Sequence, residues 1–213
     1  MTAGLRFGIF VYDDVEPVDL GGTFGTLSMA RRVSPEITMF TVAKQAGPVV
    51  LTNGLTVLAD HGFDDCPPMD YLLVSGGPGW PGQSADPAVV EFLRRFAGEA
   101  TVAGICTGGM IVAAAGLLDG QKATTKTNVS PGEKRPIDLL AEAHPEIDAV
   151  EALVVDGGKV VTGGGVTLAI DTTLHLLARS LGEDAAQETA RIMEYHIAWQ
   201  ANRNQRRSYD ATK

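Results

Sequence analysis

The chain has 213 residues, 45% of them apolar and 20% charged, which is the composition of a globular protein with a substantial core. A net charge of −9, from 17 Lys and Arg against 26 Asp and Glu, argues against nucleic acid or an anionic membrane as the main partner. No apolar stretch is long enough to span a bilayer.

In chain order, residues 5–12 read as a buried strand, not as a secretory leader. Residues 18–32 have helical spacing, and 37–43 form a strand. Residues 49–51 and 55–58 suit a hairpin turning at Asn53-Gly54. A strand at 71–75 runs into Gly76-Gly77-Pro78-Gly79, and 87–96 is helical. A strand at 101–105 and a helix at 110–118 flank Gly104-Ile105-Cys106-Thr107-Gly108. A short helix at 137–143 precedes two strands, 152–155 and 160–162, around the turn Asp156-Gly157-Gly158. Helices at 166–181 and 185–199 close a single domain over 1–200. Residues 201–213 read as a polar, frayed tail carrying Arg203, Arg206, Arg207 and Lys213.

Alternating strands and helices predict an α/β fold: a flavodoxin-like, doubly wound, mostly parallel sheet with helices on both faces. Ligands in such folds bind at the carboxyl ends of the strands. Three glycine-rich segments follow strands here, at 76–79, 104–109 and 163–165, and they are expected to converge there.

The G-x-C-x-G segment has the strand–turn–helix context of a nucleophile elbow. Cys106 at the start of a helix is expected to be a thiolate, because free N–H groups and the helix dipole favour the anion. The ordinary alternative is a small buried hydrophobe. The other cysteine, Cys66, lies among acids in Asp64-Asp65-Cys66-Pro67-Pro68 and reads as structural. Two free thiols suit a reducing cytoplasm. His61, His144, His175 and His196 lack metal-ligand spacing, so no metal is expected.

The chain resembles the ThiJ/PfpI superfamily, which has the class I glutamine-amidotransferase-like fold, and within it the isonitrile hydratases. The likeness is carried by Val18-Asp19-Leu20 with Gly22, Gly47-Pro-Val-Val50, Phe63-Asp-Asp-Cys-Pro-Pro-Met-Asp70, Gly76-Gly77, Cys106-Thr107-Gly108, Ala114-Ala-Gly-Leu-Leu118, Ala123-Thr-Thr125, Thr162-Gly-Gly-Gly165, Ile170-Asp171 and Glu194-Tyr195. It implies that Cys106 is the nucleophile and Asp19 the carboxylate facing it. By residue type alone Asp19 reads sooner as an N-cap or first-turn helix acid. The resemblance further implies an oxyanion pocket from the N–H groups of Gly77 and Thr107, beside Gly76. It places the Thr107 hydroxyl near the site and Val166 on the pocket wall.

Two positions depart from the pattern. Many relatives carry His after Ala-Thr-Thr, where this chain has Lys126, and Gly-Pro where it has Gly22-Thr23. A Cys–His dyad is therefore absent, which counts against glyoxalase-like and protease-like chemistry. Lys126 either faces solvent or enters the site beside the thiol.

The resemblance thus implies a cysteine-dependent hydration of an isocyanide to a formamide, with a small-molecule substrate, no cofactor and a homodimer. Two other readings stay open. One is a stress-related thiol protein or small-aldehyde enzyme, and the other is a ligand-sensing domain related to AraC-type regulators. The chain has no room after its last helix for a DNA-binding domain, and no nucleic-acid or membrane partner is expected.

Overall fold

The computed structural model describes residues 4–211. In chain order the elements are β1 (Arg6–Phe10), α1 (Pro17–Ala30), β2 (Thr38–Val42), β3 (Gly47–Val50), β4 (Thr56–Ala59), β5 (Tyr71–Val74), α2 (Trp80–Ala85) and α3 (Pro87–Ala97). There follow β6 (Thr101–Ile105), α4 (Gly108–Ala114), β7 (Lys122–Ala123), α5 (Pro136–Ala143), β8 (Asp148–Ala149), β9 (Val154–Asp156) and β10 (Val160–Gly163). The chain continues through α6 (Leu168–Leu181), α7 (Glu183–Ile192), α8 (His196–Gln205) and β11 (Ser208–Asp210).

Among the described residues the central sheet has seven strands in the order β11-β9-β10-β6-β5-β1-β2. All its pairings are parallel except β9 with β10. Helices α1, α6 and α7 pack together on one face, and α2, α3 and α4 on the other. Central strands covered on both faces must be apolar throughout. Accordingly Tyr71–Val74 is buried at every position, as are Phe7, Ile9, Phe10, Val102, Ala103, Ile105 and Val161. The predicted doubly wound α/β fold is the observed one.

The strand order reverses direction between β1 and β5. From β1 the chain moves outward to β2, then returns to lay β5, β6 and β10 on the other side. A reversal of this kind opens a crevice at the carboxyl ends of the two strands. The loop after β1 and the loop after β5 meet there, joined by a hydrogen bond from Glu16 N to Gly76 O of 2.9 Å.

Some elements differ from the sequence reading. The hairpin is β3 with β4, and its turn holds Asn53 and Gly54 at φ of 63° and 89°. The helix expected to run to 118 stops at Ala114, before Gly116 at φ 72°. The segment 185–199 is two helices, broken where Glu194 takes φ 57°. That break turns α8 back onto α6, where Tyr195 Oη donates to Asp171 at 2.8 Å and Asn202 Nδ2 donates to the same carboxylate at 3.1 Å.

Residues 201–210 are not frayed, while Lys213 of the expected tail lies outside the described residues. Helix α8 runs through Gln205, and β11 pairs in parallel with β9 at the sheet edge. Backbone pairing needs no apolar side chains, so the polarity of this stretch concealed the strand.

Candidate active site

Asp19 lies in the first turn of α1. Glu16 is the N-cap, with Oε1 accepting from Val18 N at 3.5 Å, and Pro17 follows it. The Asp19 carboxyl does not cap the helix. It points inward, is 0% exposed, and neither oxygen has a hydrogen-bond partner of good geometry among the described residues. A buried carboxyl without donors is costly unless protonated or supplied with a ligand.

Cys106 follows β6 and precedes α4, at φ 55°. Left-handed backbone at a non-glycine residue is the strained geometry of a nucleophile elbow. The elbow is held by Cys106 N donating to Gly163 O at 3.1 Å and by Thr125 Oγ1 donating to Cys106 O at 2.7 Å. Close approach explains the glycines around it. A Cβ on Gly76 would lie 2.7 Å from Cys106 Cβ and 2.8 Å from Asp19 Oδ2. A Cβ on Gly165 would lie 2.3 Å from the sulfur. The glycine segments after β5, β6 and β10 therefore converge as expected.

The electrostatics revise one expectation. Cys106 is 3% exposed, and burial pushes its thiol well above the usual cysteine range. The charge of Asp19 and the contact with it push the same way, while the Thr107 backbone N–H and Lys126 pull down. Burial thus opposes the thiolate that the helix-start position favours, and α4 begins only at Gly108. Burial likewise lifts the Asp19 carboxyl from the usual 3.8 to about 7, with Cys106 and Lys126 pulling down and Glu16 pushing up. The two acids titrate as one unit, because a charge on either disfavours a charge on the other.

The oxyanion pocket also differs from the expectation. Gly77 N–H donates to Thr107 Oγ1 at 2.9 Å, and that hydroxyl donates back to Gly77 O at 3.3 Å. The Gly77 donor is thus engaged within the protein, while the Thr107 N–H faces the sulfur. The Thr107 hydroxyl braces the loop after β5 against the elbow.

A cavity of about 460 Å³ opens onto Cys106. Gly77, Thr107, Lys126 and Val166 line it, so the structure brings these expected site residues together with the thiol. Lys126 is half-buried on its wall. The apolar wall contributed by Trp80, Val129, Pro136 and Leu139 was not singled out from the sequence. The signal available for it was Pro136-Ile137-Asp138-Leu139, an amphipathic helix start following a polar loop. Tyr12 was also missed; its hydroxyl donates to Ser75 O at 3.0 Å, and its pKa is pushed up by burial and by Cys106 and Asp19.

Outside the site, Cys66 is half-buried and pushed up to about 11 by burial, in keeping with a structural role. His175 Nε2 meets Asp156 Oδ2 at 2.8 Å. Among the described residues no group of three or more His, Cys, Asp or Glu is placed to hold a metal ion, and no helix is long and apolar enough to cross a membrane.

Comparison with known proteins agrees with this geometry. The chain is 34% identical over 194 residues to an isonitrile hydratase of Pseudomonas putida, a match covering 90% of this chain and 78% of that protein. It is 31% identical over 167 residues to the HTH-type transcriptional regulator CdhR of Pseudomonas aeruginosa, covering 77% of this chain but 47% of the regulator. The crystal structure of a ThiJ/PfpI family protein from Pseudomonas syringae superposes with a TM-score of 0.78 at 26% identity, over 90% of this chain and 75% of that one. Residues 6–179 match the DJ-1/PfpI family model, and the chain belongs to that family.

Proposed function

We propose that the protein is a cysteine-dependent hydro-lyase of the isonitrile hydratase type, acting on a small molecule in the cytoplasm without a cofactor. The observation that carries this reading is a fully buried Asp19 carboxyl beside the Cys106 thiol, with Cys106 opening onto a cavity. The similarity to a hydratase over nine-tenths of the chain supports it.

In this chemistry the Cys106 sulfur attacks the terminal isocyanide carbon, and a C–S bond forms. The thiol proton passes through Asp19 to that carbon, giving a thioimidate. Water then adds across the C=N bond, its hydroxyl going to carbon and its proton to nitrogen. Asp19 carries the hydroxyl proton back to sulfur as the C–S bond breaks, releasing the N-substituted formamide and the thiol. An acid with a pKa of about 7 is suited to take and return a proton near neutral pH. The Thr107 N–H and Lys126 supply positive potential where charge develops on sulfur.

The test is formamide production from a panel of isocyanides, with Cys106→Ala as control. Product that depends on Cys106 supports the reading, and its absence across the panel overturns it. A second reading, a non-catalytic sensor, is favoured by the likeness to regulator domains. Saturable isocyanide binding without turnover would select it. The aldehyde-processing alternative is disfavoured, since Lys126 replaces the histidine base.

Homodimerisation is also part of the proposal. Val18 and Phe24 on α1, and Val50, Leu55 and Leu58 on the β3–β4 hairpin, are exposed apolar residues. The hairpin joins the start of α1 through Thr52 N donating to Val15 O at 3.0 Å. Sedimentation of Leu58→Asp beside the parent protein tests this surface.

A further inference from the structure

The charged groups on the wall of the Cys106 cavity are Glu16, Glu133, Lys126 and Lys134. Most are committed within the protein. Glu16 caps α1 through Val18 N at 3.5 Å, and Glu133 Oε2 accepts from Ser130 N at 3.1 Å. Lys134 Nζ donates to Glu142 at 2.5 Å. Lys126 is different, for among the described residues its ammonium has no hydrogen bond or ion pair.

The position of Lys126 is nevertheless set firmly. The preceding residue, Thr125, is buried and ties to Cys106 O at 2.7 Å, and Ile137 N donates to Lys126 O at 3.2 Å. The side chain therefore leaves a backbone clamped to the nucleophile's own carbonyl. The apolar part of the lining is formed by Trp80, Val129, Pro136, Leu139 and Val166. Of the four charged groups on this wall Lys126 is the one left without a partner among the described residues, and a polar group uncommitted within the protein is the one free to orient a ligand.

We infer that Lys126 selects the substrate class: the cavity takes a small thiol-reactive molecule bearing an anionic group, such as a carboxylate, held on Lys126 Nζ while its electrophilic carbon meets Cys106 Sγ. This rests on reading Cys106 as the nucleophile, and within the proposed function it names the substrates as anionic isocyanides. The charge of Lys126 is felt at both Asp19 and Cys106, which fits an anchor lying within a small molecule's length of the reacting pair. The rival role for Lys126 is to stabilise the thiolate alone, without regard to the substrate's charge.

The experiment compares iodoacetate with iodoacetamide, which share the electrophilic carbon and the leaving group and differ in charge. In each the S–C bond forms as iodide leaves, and the thiol proton passes to solvent. The protein is used in a Cys66→Ser background, so that alkylation reports Cys106. The expected result is a rate ratio of iodoacetate to iodoacetamide at least about fivefold above that of a free thiol, the scale of a partly desolvated ion pair. Lys126→Met should bring that ratio down to the free-thiol value; both rates fall, since Lys126 also pulls the thiol pKa down, so the ratio rather than either rate carries the test. Lys159→Gln, which removes an exposed charge in the β9–β10 turn at the far end of the sheet, should leave the ratio unchanged. An equal fall of both rates in Lys126→Met that leaves the ratio unchanged, or no preference in the parent, overturns the inference.

A second measurement needs no reaction at sulfur. Butyrate should raise the melting temperature more than butyramide does, and Lys126→Met should erase the difference. Equal shifts, or none, count against the inference. Hydration of isocyanides is assayed separately. Charge preference without turnover would end the hydratase reading alone, and turnover indifferent to charge would end this inference alone.

Discussion

Asp19 and Cys106 face each other across the bare backbone of Gly76, where a Cβ would stand 2.8 Å from Asp19 Oδ2 and 2.7 Å from Cys106 Cβ. The acid comes from the loop and helix after β1, and the thiol from the turn after β6. The strand between them, β5, ends in the glycine that lets them meet. Gly76→Ala is expected to force the pair apart. Overpacking of this kind costs about 1–3 kcal/mol in urea unfolding. Iodoacetamide labelling of Cys106 should change in the same variant, and an unaltered labelling rate would show that the pair tolerates separation.

Asp19 makes stability depend on pH. Its folded pKa of about 7 lies above the usual 3.8, so the folded chain keeps a proton that the unfolded chain has lost within that window. The stabilising contribution is full below the unfolded pKa, falls as pH rises, and is gone above about pH 7, a span worth up to about 4 kcal/mol. Asp19→Asn should flatten the melting temperature between about pH 5 and 8 relative to the parent and lower turnover by about 100-fold or more. Melts of both proteins across that range check the sign.

The backbone at Cys106, with φ 55°, is strained for any residue with a Cβ. Left-handed backbone costs a non-glycine residue about 1–2 kcal/mol. Cys106→Gly and Cys106→Ala should both abolish turnover. Of the two, Cys106→Gly should be at least as stable, despite glycine's larger unfolded entropy. Chemical denaturation of the pair measures the strain, and a markedly less stable glycine variant would remove it from the account.

Thr107→Val deletes the hydroxyl that accepts from Gly77 N–H at 2.9 Å and keeps the side-chain shape. A buried donor left unpaired costs about 1–3 kcal/mol. The loop after β5 should loosen, seen as faster amide exchange at Gly77, and activity should fall even though the Cys106 thiol remains.

Asp156 provides the opposite pH behaviour. Burial pushes its carboxyl up, but His175 Nε2 at 2.8 Å, Gly158 N at 2.9 Å and Arg179 at 3.1 Å outweigh that, and the net direction is down. Its stabilisation is therefore present above the unfolded pKa and is lost as pH falls through the folded one. Asp156→Asn should melt below the parent at neutral pH, with the gap closing in acid.

Much of the fold was legible because its elements follow from local rules. Apolar runs buried on both faces mark the parallel strands, and Asn53-Gly54 marks the hairpin turn. The elbow around Cys106 was legible for the same reason, since a glycine-flanked residue between a strand and a helix is a local pattern. Helix α2 was less so: Trp80-Pro81-Gly82 reads as a loop, although Pro81 suits the first turn of a helix. The break at Glu194 and the strand β11 were hidden, because each is specified by a distant partner, Asp171 in one case and β9 in the other.

Residue types and spacing by themselves determined the α/β class, the elbow at Cys106 and the convergence of the glycine-rich turns at the carboxyl edge of the sheet. Tertiary structure alone decided the burial of the Cys106 thiol, the engagement of the Gly77 N–H by Thr107, and the place of Lys126 on the cavity wall. The physical reason is that these three are questions of desolvation and through-space pairing. Burial at Cys106 works against its helix-start position, and the charged neighbours that act on it, Asp19 and Lys126, arrive from segments far apart in the chain.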